Sequence, residues 1–315
     1  MNGTDQPFTL DGGFNLFEHR SAAMLFFYSA IFGVIGNLQT LRVLVKDHPL
    51  SMSSSRIHVQ MAIANILVAA TGFQAGANAW IGRWVCGDAG CKAYGFFAMF
   101  GGMASVTLAA MYGIERYLVQ GNSKYFQSRT GGLLTGAAWV FSLVIATGPL
   151  MGWNSYALES SGTSCLLDWR VRDQAHISFF LTIGSVFMVL MSAAIFGLRS
   201  AIMRTKTDDV KGGSDWFTES QLNWMAVGNL MLVLCGYNPY LFLAIWSVAS
   251  PAPLQMGPLA PYVMALMVKC STLYFPLIYC TASKQFRTAY YPHIFGEKEK
   301  AAWTGSSTEK LALPE

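Results

Sequence analysis

Seven long apolar stretches run along the chain, at about 21–45, 57–81, 90–117, 131–153, 177–202, 222–248 and 261–281, and polar stretches of about 8 to 23 residues join them. Some 20 apolar residues in a helix match the ~30 Å hydrocarbon core of a bilayer. Backbone N–H and C=O groups cannot stay unpaired in lipid, so each stretch is predicted as an α-helix. The ten-residue alternating segments of a β-barrel are absent, and so is any internal repeat. The pattern predicts an all-α membrane protein in three parts: a polar N-terminal segment (1–20), a seven-helix bundle (21–281) and a tail (282–315). Residues 1–20 lack a basic stretch followed by a short apolar run, so the first helix is expected to act as the insertion signal.

Composition agrees. Only 12% of residues are charged and 53% are apolar or aromatic, with a mean hydropathy of +0.37. An ordinary soluble protein carries ~25% charge, which argues against a soluble enzyme or a disordered chain. A net charge of +4 without long basic runs argues against nucleic acid as a partner. The charges are unevenly shared. With the N-terminus outside, 15 of the 21 Lys and Arg fall on the cytoplasmic side, five outside, and Lys269 in the membrane. Positive charge gathers inside, so this orientation is expected. It puts the Asn2-Gly3-Thr4 sequon in the compartment where glycosylation happens.

Three of the six cysteines, Cys235, Cys270 and Cys280, lie within apolar stretches and read as small packing residues. Cys91 opens helix three on the oxidising side, and Cys165 lies in the outer loop after helix four. A Cys91–Cys165 bridge is expected, with Cys86 as a competing partner. No His or Cys cluster has metal-site spacing.

Lys269 is the most informative residue. It stands eight residues into the seventh stretch, about 12 Å from its outer end. A cation there costs at least ~3 kcal/mol and is functional by default. Three roles compete: a structural ion pair, an ion or proton path, and covalent chemistry. A path needs further ionisable residues in the helices, which are nearly absent. A desolvated lysine readily condenses with an aldehyde to a Schiff base, which suits a single buried lysine best. A protonated imine needs a counterion. Glu159, six residues before Cys165, would be drawn over the bundle mouth by the bridge. The alternative is a solvated loop carboxylate.

The chain resembles the opsins, seven-helix retinal proteins with the rhodopsin-like receptor fold, from about residue 21 to 290. The resemblance rests on Gly36-Asn37, Gly82-Arg83-Trp84 before Cys91, Glu115-Arg116-Tyr117 ending helix three, Trp139, and Pro149-Leu150-Met151-Gly152-Trp153. Helix seven adds Lys269 and Pro276-Leu277-Ile278-Tyr279, and Ser283-Lys284-Gln285-Phe286-Arg287 looks like the start of an amphipathic eighth helix. The resemblance implies that Lys269 links retinal. Vertebrate visual pigments carry a Glu counterion three residues after the helix-three cysteine, where this chain has Tyr94, so the role passes to Glu159. Tyr156-Ala157-Leu158-Glu159 and Gly162-Thr163-Ser164-Cys165 are most similar to retinochromes, with their relatives the peropsins and retinal-pigment-epithelium opsins. That likeness implies all-trans-retinal in the dark and its conversion by light to 11-cis. Tyr94, placed to hydrogen-bond near the imine, Phe97, Met99, Gly101 and Gly102 of helix three and Tyr237 and Tyr240 of helix six are candidate pocket residues.

Departures from the family pattern bear on signalling. Asn65 replaces the usual helix-two Asp, Tyr237 the helix-six Trp, and Phe275 the helix-seven Asn. These changes favour a photoisomerase that supplies 11-cis-retinal, with a retinal-shuttling protein or another opsin as partner. A light-activated, bistable receptor coupled to a G protein is the alternative. For it speak Arg116 and Glu219, which are placed to pair as a cytoplasmic switch beside Glu115. A storage protein and an ion pump fit less well, the pump because intramembrane carboxylates are missing. Ser306, Ser307 and Thr308 are candidate phosphorylation sites. The expected location is a photoreceptor-cell membrane, plasma or internal.

Overall fold

A computed structural model of the chain describes residues 14–47, 50, 52–121, 124–205, 216–250, 257 and 259–292. Seven helices among them are long and apolar enough to cross a membrane: α1 (Leu16–Lys46), α2 (Met52–Ile81), α3 (Gly87–Gly121), α4 (Lys124–Thr147), α5 (Gln174–Thr205), α6 (Glu219–Ala249) and α7 (Leu259–Ala282). A short eighth, α8 (Lys284–Tyr290), follows α7. The protein is therefore a multi-pass integral membrane protein. Asn2, the tail residues Ser306, Ser307 and Thr308, and most of the loop between α5 and α6 lie outside the described residues.

The helices extend past the apolar stretches because polar residues cap them. Asn15 accepts from the Glu18 backbone N–H at 3.0 Å, and Glu18 reaches back to the Asn15 N–H at 2.7 Å. This reciprocal box starts α1 before residue 21. Thr218 and Gln221 start α6 in the same way. Prolines mark weak points. Pro276 in α7 has no N–H for the carbonyl of Thr272. Asn37 of α1 fills that place, donating to the Thr272 oxygen at 2.9 Å, so a polar side chain in lipid ties α1 to α7.

α3 touches α2, α4, α5 and α6 and is the most enclosed of the seven. The loop after α4 forms a feature that the hydrophobic pattern did not predict. Strands β1 (Tyr156–Leu158) and β2 (Cys165–Leu167) make an antiparallel hairpin, with Tyr156 opposite Leu167 and Leu158 opposite Cys165. Three-residue strands are too short to show a period of two. The hairpin turns at Gly162, whose φ of 67° suits glycine.

Candidate functional site

Five anchors fix the hairpin over the outer end of the bundle. The Cys91–Cys165 disulfide joins β2 to α3, and Cys86 remains a free, exposed thiol. Tyr156 donates its hydroxyl to the Ala146 carbonyl at 2.7 Å. Its ring lies against Gly95, where an added Cβ would sit 2.5 Å from the ring. Thr163 donates to the Tyr262 hydroxyl at 3.0 Å. Ser155 Oγ and His176 Nε2 stand 3.2 Å apart, joining the hairpin to α5.

Beneath the hairpin lies a cavity with about 990 Å³ of empty volume, part of it continuous with the surroundings. The hairpin forms its roof through Ser164, Leu166, Leu167 and Trp169. Trp169 stacks on Phe180 of α5, with ring centroids 4.7 Å apart. Lys269 lines the cavity from α7 and is only 4% exposed. Gly72 of α2 makes room for its stem, as a Cβ there would approach the Lys269 Cδ to 3.4 Å. The Nζ donates to the Tyr94 hydroxyl at 3.5 Å, a long hydrogen bond, and lies 5.6 Å from the Phe26 ring centroid.

Glu159 is buried in the hairpin turn and makes no direct ion pair with Lys269. Its Oε2 accepts from the Ser164 hydroxyl at 2.7 Å, while its Oε1 has no hydrogen-bond partner. Burial pushes the carboxyl up to about 7, against the Ser164 hydrogen bond and the positive charge of Lys269. Ser164 thus stands between Glu159 and the cavity, touching both.

Of the candidate pocket residues, Tyr94, Met99, Gly102, Tyr237 and Tyr240 line the cavity. Gly102 makes space for Tyr237, whose ring carbon would lie 3.3 Å from an added Cβ. Phe97 and Gly101 do not line it. Phe97 is 53% exposed on the outer face of α3, and Gly101 packs against Leu67 and Val68 of α2. The lining face of α3 runs through Tyr94, Ala98, Gly102 and Val106, four residues apart at each step. Thr71 of α2, the hairpin residues and Ile183, Gly184 and Phe187 of α5 also line the cavity, and the sequence pattern does not mark them. α5 is apolar on every side, so periodicity marks no inner face there. For the hairpin a signal existed: a loop tied to the top of α3 must lie over the bundle.

At the inner end, Arg116 donates to Glu219 at 2.5 Å, joining α3 to α6, and Glu115 lies 3.9 Å from the Arg116 Nε. Phe275 is buried against Tyr279, with ring centroids 4.9 Å apart.

Residues 36–279 match the family described as 7 transmembrane receptor (rhodopsin family). A visual pigment-like receptor, peropsin of Homo sapiens, is 27% identical over 287 residues, spanning 88% of this chain and 85% of that protein. Retinochrome of Todarodes pacificus is 30% identical over 205 residues, spanning 63% of this chain and 68% of that protein. The chain belongs to the opsin family. The crystal structure of squid rhodopsin superposes on this opsin with a TM-score of 0.75, covering 96% of this chain and 93% of that one at 20% identity. That likeness speaks for the opsin's fold. In this opsin the site is therefore a buried lysine, a nearby tyrosine and a roofing hairpin with one carboxylate, all set in the family's seven-helix frame.

Proposed function

We propose that this opsin is a retinal photoisomerase, holding all-trans-retinal on Lys269 as a protonated Schiff base and converting it to 11-cis-retinal in light. The observation that carries the reading is the amine of Lys269, buried at the wall of a largely apolar cavity. The residues fit the group: apolar and aromatic side chains line most of the cavity around the Lys269 amine, and the unpartnered Glu159 oxygen is a buried acceptor near a cationic site. When bound, retinal supplies light absorption and an isomerisable polyene.

The chain supplies the rest. Lys269 provides the covalent anchor. Tyr94 brings a hydroxyl to the nitrogen but no charge. Glu159 provides the balancing charge, relayed through the Ser164 hydroxyl. Tyr237, Tyr240 and Trp169 shape the slot in which one product isomer is favoured. The likeness to retinochrome supports this direction of the reaction. So do Asn65, Tyr237 and Phe275 at the switch positions. On this reading the protein sits in a photoreceptor-cell membrane and passes its product to a retinal-shuttling protein or another opsin.

A second reading, a light-activated receptor coupled to a G protein, draws on the Arg116–Glu219 pair, which could lock and release the inner end. One experiment separates the two. Purified protein is loaded with all-trans-retinal in the dark, illuminated and extracted, and the isomers are resolved by chromatography. A visible dark pigment that yields mainly 11-cis supports the isomerase. A pigment that forms only with 11-cis-retinal and yields all-trans overturns it in favour of the receptor.

A further inference from the structure

His19 stands in the first turn of α1 and Tyr262 in the first turn of α7, and both are buried at the outer end of the bundle. The proposed photochemistry gives neither of them a role. The His19 Nδ1 lies 2.6 Å from the Tyr262 hydroxyl. That hydroxyl accepts from Thr163 of the hairpin turn at 3.0 Å. Thr163 reaches further: its Oγ1 is 3.3 Å from the Ser161 Oγ, and its N–H donates to the same oxygen at 3.4 Å. The Phe14 ring covers the pair, with centroids 5.7 Å from His19 and 5.5 Å from Tyr262. A buried chain of polar groups thus joins α1, α7 and the hairpin.

The chain has a direction. The Tyr262 oxygen takes the Thr163 proton, so its own proton goes to His19, with Nδ1 bare and acting as the acceptor. Removing a member leaves a buried polar group short of a partner, which is costly. The chain grips the turn at Thr163, and both neighbours of Thr163 hold Glu159. The Gly162 N–H donates to the Glu159 carbonyl at 2.9 Å. The Ser164 carbonyl accepts from the Glu159 N–H at 3.0 Å, and the Ser164 hydroxyl donates to the Glu159 carboxylate. Moving Thr163 therefore moves the carboxylate.

We propose that His19 and Tyr262 are positioning residues for Glu159, holding the hairpin turn at the depth from which its carboxylate acts on the Lys269 site. The inference rests on the Schiff-base reading and extends it to two helices that do not carry the carboxylate. A rival route from Tyr262 to the amine bypasses Glu159. Phe26 lies 5.9 Å from the Tyr262 ring and 5.6 Å from the Lys269 Nζ.

The test is spectroscopic titration of the full chain in lipid nanodiscs, loaded with all-trans-retinal in the dark. The visible band is followed as pH rises until the imine loses its proton. His19→Phe and Tyr262→Phe each break the chain and keep the buried bulk. Each is expected to lower the midpoint by about one pH unit, tenfold in the proton equilibrium. In a Glu159→Gln background the same substitutions are expected to add nothing, because they act through that carboxylate. Amide exchange in residues 159–164 of the retinal-free protein is expected to rise about fivefold in each single variant, the worth of one net hydrogen bond. An unmoved midpoint in both single variants overturns the inference, even with faster exchange, since the chain is then structural only. A shift that persists in full beside Glu159→Gln also overturns it, in favour of the route through Phe26. Failure of the underlying reading looks different: the parent then forms no visible pigment, and the inference falls with it. Should Tyr262→Phe not fold, Thr163→Val breaks the same chain from the hairpin side.

Discussion

The amine of Lys269 has a hydroxyl, not a carboxylate, as its hydrogen-bonded neighbour, and Glu159, the carboxylate proposed to balance it, lies in a different element. This separation makes the two residues distinguishable by experiment. Lys269→Ala is expected to abolish covalent pigment, read as loss of the visible band and of acid-trapped retinal on the protein. Glu159→Gln leaves the link intact but is expected to move the band towards the ultraviolet at neutral pH. Glu159 should also register without retinal. Its carboxyl is raised from 4.5 to about 7, so the folded chain holds that proton more tightly than the unfolded one. The stability it contributes is full below pH 4.5 and is lost as pH rises through 7, by up to about 3 kcal/mol. Thermal melts of the ligand-free protein at pH 5.5 and 8 should differ by less in Glu159→Gln than in the parent. An identical difference would mean that this carboxyl does not carry the titration.

At the scale of elements, much was legible. A seven-residue shift at a helix start matters little when twenty or more apolar residues must span lipid. Lys269 was legible because a charge in such a stretch is conspicuous. The face of α3 was not: a helix enclosed by four others is apolar nearly all round, so Phe97 and Gly101 read like Met99 and Gly102 until neighbours are placed. The hairpin was hidden because its strands are set by anchors distant in sequence. Two of these joints predict measurable costs. Asn37→Ala strands the Thr272 carbonyl beside Pro276, expected to lower stability by about 1–3 kcal/mol in denaturation of the ligand-free protein. Cys165→Ser opens a link between residues 74 apart, worth about 4 kcal/mol by loop entropy, and frees the roof of the cavity. Its melting temperature should fall furthest of the variants named here.

For the whole molecule, the two ends of the bundle answer different questions. The outer end holds the cavity and its roof, and the inner end holds Arg116, Glu219, Tyr112, His58 and Tyr279. Whether light at one end moves the other is the difference between an isomerase and a receptor. Glu219→Gln removes the α3–α6 ion pair. If the protein is an isomerase, light-driven nucleotide exchange on added G protein should stay at the dark level in both the parent and Glu219→Gln. Light-dependent exchange in either would favour the receptor.

The hairpin, finally, is bolted at both flanks: covalently to α3, and by side-chain hydrogen bonds to α4, α5 and α7. A roof fixed on so many sides has no hinge on the aqueous face. On the proposed function, retinal is then expected to enter between helices from the bilayer, not past the hairpin. Loading should follow the mole fraction of retinal in the surrounding lipid and not its total concentration in the sample. Diluting vesicles with buffer should leave the loading rate unchanged, while diluting the retinal with more lipid should slow it in proportion.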